Sequence, residues 1–532
     1  MSVNRVMGLE TEYGVLAPAM PGANATMLSA QVINAYAASV RAGYGHLAGT
    51  RWDYSDESPL NDARGFTQPR SQADPSQLTD VEPELDAEQV ALAGGDTTIG
   101  STLYDEPDEG QEVLMNMVLG NGARLYVDHA HPEYSSPETT NPFDAVLYDQ
   151  AGDHVALTAA RCIEATNGFV PVHLYKNNTD NKSVSYGAHE NYLMPRSVPF
   201  DSIATHLIPF FVSRQVICAS GRVGRGMLGQ YDGFQVSQRA DFFEAQVGLE
   251  TTIRRPIINT RDEPHAHWEK YRRLHVIIGD ANLGQVSTLL RTGTTALVLS
   301  MIEAGTAPEP ALREPVAALQ AISHDPTLKA RVELSDGRRL TALEIQRIYL
   351  DAAVEHCART GADDDATAEI LRRWDSTLTT LGSDLFAAAD TVDWVAKYKL
   401  MSGYADRHGL DFTDAKIALM DLQWADIRPE KGLYYRLAER GLMETLYTPE
   451  QIAAAASTPP EDTRAYFRGR VLSQYPEHVV AASWDSVSFS VPGARKLERI
   501  STLEPLRGTK KLVGGLFDAE LSIGEFIGTL KR

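Results

Sequence analysis

The stretch NGARLYVDHAHPEYSSPE (residues 121–138) decides how the rest of the chain is read. Within it Arg124, Tyr126 and Asp128 alternate with Leu125 and Val127. Successive side chains of a β-strand point to opposite faces, so the guanidinium, the phenol and the carboxylate share one face while the apolar pair turns to the core. His131, Pro132 and Glu133 then turn the chain and add an imidazole and another carboxylate. Taken alone, the stretch reads equally well as a half-solvated edge strand. A second strand of the same kind tips the balance. In MGLETEYG (residues 7–14), Glu10 and Glu12 sit two apart and face one side. Neighbouring carboxylates repel unless a cation lies between them, and hard ions such as Mg²⁺ take oxygen ligands of this type. The competing explanation is an edge strand charged against aggregation.

Composition bounds the rest. With 532 residues, 43% hydrophobic and 23% charged, the chain has ordinary globular make-up and length for about two to four domains. No run approaches the roughly 18 apolar residues of a membrane span, and the first residues carry no leader pattern. Three scattered cysteines, Cys162, Cys218 and Cys357, imply neither a disulfide framework nor a zinc knuckle, so a cytoplasmic setting is expected. The net charge of −22 argues against nucleic acid as a partner. Charge is uneven: residues 47–112 hold 16 Asp and Glu against 3 Lys and Arg, whereas residues 211–275 hold 10 Lys and Arg against 7 Asp and Glu. The basic segment suits an anionic ligand or an acidic partner.

Helical spacing is predicted over residues 28–44, 144–165, 287–304, 311–323, 341–358, 366–381 and 392–408, with Trp374 and Trp394 as core. Residues 45–111 read as a long acidic loop. Its opening, RWDYSDESPLNDARGF (51–66), has the aromatics and paired charges to order locally, while the remainder reads as mobile. Residues 168–175 read as a strand that leads into an Asn- and Gly-rich loop delivering His189 and Glu190. A short strand at 256–259 and another ending at His275 flank a series of arginines, Arg254, Arg255, Arg261, Arg272 and Arg273, of the kind that clamps phosphate or carboxylate. A cluster at 458–462 marks a boundary. Beyond it, strand signals at 479–490 and 511–517 give a small terminal domain.

Taken together, these segments resemble the enzymes of the prokaryotic ubiquitin-like modifier Pup, a family that holds the Pup ligase and its relative the Pup deamidase and depupylase. The resemblance runs from the MGLETEYG strand to the region of Trp484. It implies an α+β fold, with a curved antiparallel sheet of glutamine synthetase-like type packed with helices. The implied division is a catalytic domain over 1–460, interrupted by the acidic insertion at about 45–111, and a small C-terminal domain over 461–532. Carried over by position, Glu10, Glu12, Tyr126, Glu133, His189 and His275 look like residues of a metal site. Arg124, Ser136 and Trp484 look like nucleotide contacts and Arg261 like a phosphate contact. Asp128 looks like the catalytic aspartate, and Arg239 like part of the groove that binds the modifier. The implied cofactors are ATP (or ADP plus phosphate) and Mg²⁺. The implied partners are Pup and pupylated proteins, with the proteasomal ATPase ring as a further one. The YG ending of the first motif, the spacing of Asp128 and His131, and the 51–66 insertion favour the deamidase and depupylase branch over the ligase. That branch hydrolyses the amide at the γ-carboxyl of Pup's last residue, with Asp128 as nucleophile or as general base.

Overall fold

Antiparallel pairing of six strands builds the platform for everything else: β1 (Met7–Glu12), β2 (Asn116–Val118), β3 (Arg124–Asp128), β4 (His131–Ser135), β5 (Ala188–Pro195) and β6 (Tyr271–Val276), in the order β6-β5-β1-β4-β3-β2. The computed structural model describes residues 2–44, 50–79, 83–93, 113–167, 169–180, 184–225 and 232–531. β3 and β4 are joined by a two-residue turn, because Asp128 pairs with His131. Its first residue, His129, takes the left-handed backbone (φ 55°) that hairpin turns of this length require.

Alternation divides the sheet. Leu9, Leu125, Val127, Tyr134, Tyr192 and Leu274 are buried on one face. Against that face pack α1 (Ala25–Tyr44), α2 (Pro142–Ala165), α3 (Phe200–Cys218) and α4 (Gln285–Glu303). Each large apolar side chain buried there contributes roughly 1.5–3 kcal/mol. The core face also holds a buried ion pair: Arg214 of α3 donates to both oxygens of Glu190 at 2.8 and 2.9 Å, and the Tyr192 hydroxyl adds a third bond at 2.6 Å. Glu190 is therefore a structural residue, while its neighbour His189 turns to the other face.

The helices begin and end close to where periodicity puts them, and Trp374 and Trp394 are fully buried in the core. Four stretches differ. The strand expected over 168–175 is confined to His173–Tyr175, paired with Gly14–Leu16; residue 168 lies outside the described residues. The helix expected from 311 starts at Pro315, because Leu312 bridges to Leu334 instead. The strand expected over 511–517 is the helix Lys510–Asp518. Its Gly514 and Phe517 are buried, and the Phe517 ring packs on Phe467 and Phe526, with Val513 against the same cluster. The tail of the insertion is not featureless, since Ala87–Leu92 is helical and Leu92 and Ala93 pack on the α1 cluster; 80–82 and 94–112 lie outside the described residues.

The carboxyl-terminal region makes a four-stranded sheet from Glu498–Ser501, Ser486–Phe489, Val479–Ala482 and, in parallel, Arg51–Trp52 of the insertion. Trp52 and Val118 enter its hydrophobic core. Arg464 and Arg468 both pair with Glu138, just after β4, and hold its carboxyl at about 2 despite burial.

Gly152, inside α2, shows how closely helix and sheet approach: a Cβ there would lie 2.4 Å from the Tyr134 ring. In an exposed helix, glycine to alanine gains about 1 kcal/mol. Here Gly152→Ala is expected to lose roughly 1–3 kcal/mol through overpacking, read as a lowered midpoint in chemical denaturation.

Candidate active site

Antiparallel register puts directly opposed residues on the same face, and it assembles the site from separate stretches of chain. Glu10 lies opposite His189 on one side and Ser135 on the other, and Glu12 lies opposite Glu133. Tyr126 also lies opposite Glu133, and Arg124 opposite Ser135. On the next strand pair, Asn191 lies opposite His275. The result is two groups of donors. Ligand atoms of Glu10, His189 and His275 lie within 4.8 Å of one another, and so do those of Glu12, Asp128 and Glu133.

The charges in this face are not balanced from within. Burial works against ionising Glu10, yet the hydrogen bond with His189 Nδ1 (3.1 Å) and the Arg273 guanidinium at 3.8 Å hold its carboxyl below the usual range. Burial likewise opposes Glu12, but His131 at 3.4 Å wins and holds it at about 2. Glu133 is fully buried, and burial together with the charges of Asp128, Glu10 and Glu12 pushes it well above the usual carboxyl range. Its Oε1 is buried with no hydrogen-bond partner among the described residues. His275, buried beside Arg273, is pulled well below the usual imidazole value, which leaves its ring neutral and free to donate a lone pair. A divalent cation fits this arrangement: it satisfies the orphaned oxygen and removes the repulsion that keeps Glu133 protonated.

Arg124 and Arg261 border the same cleft. Arg124 is held between the Trp52 and Tyr126 rings, with its guanidinium carbon 4.1 and 3.9 Å from their centroids. Its Nε donates to Asn116 at 2.9 Å, and Glu57 lies 3.8 Å from the guanidinium. Arg261 is buried, forms no side-chain hydrogen bond or ion pair among the described residues, and leaves its Nε without a partner. An unpaired buried guanidinium facing a cleft is suited to phosphate.

Glu10, Arg124, Tyr126, Asp128, Glu133, His189, Arg261, His275 and Trp484 all border one cleft of about 600 Å³. Glu12 joins through its group with Asp128 and Glu133. Ser136 borders a second, adjoining cavity of about 550 Å³ that shares Glu10, Arg273 and Trp484 with the first and is lined also by Leu193, Pro264 and Pro505. One residue does not join them. Arg239, expected in an open groove, is 1% exposed and donates to the carbonyls of Ile277 and Gly279. Burial, with Arg255 nearby, draws its guanidinium down to about 9. A side chain enclosed in this way braces the chain after β6 and offers no surface to a partner.

The cleft also contains groups that the motifs did not reveal. Glu57 borders it, pushed up to about 7 by burial and Glu263 in spite of Arg124. Glu263 and His265 lie on the loop between Arg261 and β6, and Ser76 and Thr79 come from the insertion. Asp128 has a single side-chain hydrogen bond among the described residues, to His129 Nδ1 at 2.9 Å, and its charge holds that imidazole up at about 9. The paired charges of residues 51–66 were the available signal for Glu57.

Comparison with known proteins places this geometry. The model of the Pup-ligase protein family matches residues 5–488. The chain is similar to a depupylase of Acidothermus cellulolyticus, with 52% identity over 99% of each chain. It is 49% identical, again over 99% of each, to a Pup deamidase/depupylase of Mycobacterium tuberculosis. Among solved structures it resembles the ligase PafA in complex with the prokaryotic ubiquitin-like protein Pup, at 29% identity and a TM-score of 0.74 over 99% of this chain and 95% of that one. It also resembles the Pup ligase PafA in complex with ADP, at 33% identity and a TM-score of 0.69 over 85% of this chain and 99% of that one.

The protonated Glu133 has a measurable cost. Because its folded pKa lies above its unfolded one, the folded state holds the extra proton, and stability falls as pH rises from about 4.5 toward the folded value. Glu133→Gln is therefore expected to stabilise the metal-free protein by roughly 1–3 kcal/mol at pH 8 and by little at pH 4. Thermal denaturation in EDTA across that range reads it. The same variant should bind Mn²⁺ roughly tenfold more weakly or worse, read by titration calorimetry.

Proposed function

We propose that this chain, which belongs to the Pup-ligase protein family, is a Pup deamidase and depupylase. It converts a C-terminal Gln of Pup to Glu, and it hydrolyses the isopeptide bond between that residue and a target lysine. One observation carries the chemistry: Asp128 stands at the edge of the cleft, grouped with Glu12 and Glu133 and across from two guanidiniums with unequal partners. The choice of hydrolysis over ligation rests on identity of 52% and 49% over 99% of the chain to proteins named for depupylation, against 44% over 67% of the chain to a Pup–protein ligase of Rhodococcus erythropolis.

An amide is a weak electrophile, so its hydrolysis requires an activated nucleophile and compensation for the charge that develops on its oxygen. Asp128 supplies the first, by attacking the γ-carbonyl directly or by taking a proton from water. Glu10, His189 and His275 would hold one Mg²⁺ and Glu12 and Glu133 another, with Tyr126 beside them. Bound Mg²⁺ supplies positive charge for the polyphosphate and for the carbonyl oxygen. Ser136 and Trp484, which border the less polar cavity, and Arg124 and Arg261, which border the other, would hold ATP or ADP, the two guanidiniums supplying charge for its phosphates. The nucleotide then completes the electrostatics of the site without being consumed at each turnover. The basic segment 211–275 is not an open docking face for an acidic modifier, because Arg214, Arg222, Arg239, Arg255, Arg261 and Arg272 are buried.

Incubation of Gln-ended Pup with the protein, Mg²⁺ and ATP or ADP should release ammonia and give Glu-ended Pup by mass spectrometry with no lysine acceptor present. A ligase gives no such product and consumes ATP only when an acceptor is supplied. Asp128→Asn is expected to cut turnover by roughly 10³-fold or more while Pup and nucleotide affinities stay near the wild-type values. Substantial residual activity refutes the assignment, and an acyl adduct trapped on Asp128 selects direct attack.

A further inference from the structure

The carboxylate proposed to carry the reaction has one side-chain hydrogen bond among the described residues, and its donor is not rigid by itself. His129 is exposed and sits at the tip of the β3–β4 turn. What fixes its ring is the insertion. The far ring nitrogen, Nε2, lies 2.9 Å from the backbone carbonyl of Ser76. A carbonyl only accepts, so Nε2 carries a proton, and the ring bridges carbonyl and carboxylate in a line. Ser76 is itself held by a local device, the short turn Pro75–Gln77. There the Asp74 side chain accepts from the Ser76 amide (3.0 Å) and hydroxyl (2.6 Å), and the Gln77 side chain accepts from the Asp74 amide (2.9 Å). The backbone of His129 points the same way: φ 55° is a conformation that a side-chain-bearing residue adopts only at a cost. Glycine would make the same turn without strain.

We infer that His129 is a positioning residue for Asp128, and that the insertion sets it through the Ser76 carbonyl. The inference rests on the assignment of Asp128 above. With one carboxylate oxygen held by the imidazole, the other is presented to the cleft and to Glu12 and Glu133 in a fixed orientation. A fixed orientation lowers the reorganisation needed when the nucleophile acts. The chain Asp74–Ser76–His129–Asp128 thus extends the site into a part of the sequence that bears no catalytic group of its own.

The test uses the full chain with Mg²⁺, ADP and Gln-ended Pup, following ammonia release. His129→Gly keeps the turn and removes the ring. It should lower kcat roughly 10- to 100-fold, with KM for Pup and the nucleotide affinity near wild type. His129→Asn tolerates the left-handed backbone and keeps a donor near the Nδ1 position, so it should recover most of the loss. Asp74→Ala loosens the turn and should lower kcat in the wild-type background but have no further effect beside His129→Gly. Wild-type kcat in His129→Gly, a change in KM alone, no recovery in His129→Asn, or additive losses with Asp74→Ala would each overturn the inference. Failure of the wild-type protein to release ammonia would instead refute the proposed function and leave the His129 geometry untouched.

Discussion

Four carboxylates on one face of a single sheet set the terms for this molecule. Glu10, Glu12, Asp128 and Glu133 are brought together by strand register, and among the described residues Glu133 has no cationic ion-pair partner. His131 and His189 hold the carboxyls of Glu12 and Glu10 low, and the burden falls on Glu133, which burial and its acidic neighbours push well above the usual carboxyl range. Such a face is costly to bury, and divalent cations would relieve it. The opposite face provides the stability that permits it. Because side chains alternate, a one-residue slip of β3 would send Leu125 and Val127 to the cleft and Arg124, Tyr126 and Asp128 into the core. The hydrophobic face therefore fixes the functional one.

Much of this was legible in the sequence for that same reason. Period-two alternation in residues 7–14 and 121–138 is a physical instruction about faces, and it correctly put Glu10 with Glu12 and Arg124 with Tyr126 and Asp128. Which strands become neighbours is not local information. The resemblance to the Pup family gathered His189, His275 and Trp484 to the same cleft as Arg261, which the arginine series had already marked as a candidate for phosphate or carboxylate. Arg239 shows the limit of carrying residues over by position, because burial depends on what packs above a residue. The helix at Lys510–Asp518 shows another: a short run with Leu, Val and Phe satisfies both periods until its partners, Phe467 and Phe526, decide between them.

The insertion was the part read least well, and the reason is instructive. Its acidity and lack of periodicity describe a loop, in which only the opening, residues 51–66, carries a signal for local order. In the structure its ordered portion is joined to the site at three separate places. Trp52, Tyr54 and Glu57 surround Arg124. Asp62 accepts from the Thr260 hydroxyl at 2.7 Å and Ala63 donates to the Thr260 carbonyl at 2.8 Å, which fastens the loop carrying Arg261. The Ser76 carbonyl meets His129 beside Asp128. None of these contacts demands a hydrophobic pattern, since two are made by backbone groups and one by rings stacked on a cation. Such contacts leave almost no trace in composition, and this segment therefore reads as loop even where it is part of the site. Through these contacts the insertion reaches Arg124 directly, Arg261 through its neighbour Thr260, and Asp128 through His129. The ordered part of the insertion thus braces the cleft at three points along the sequence at once.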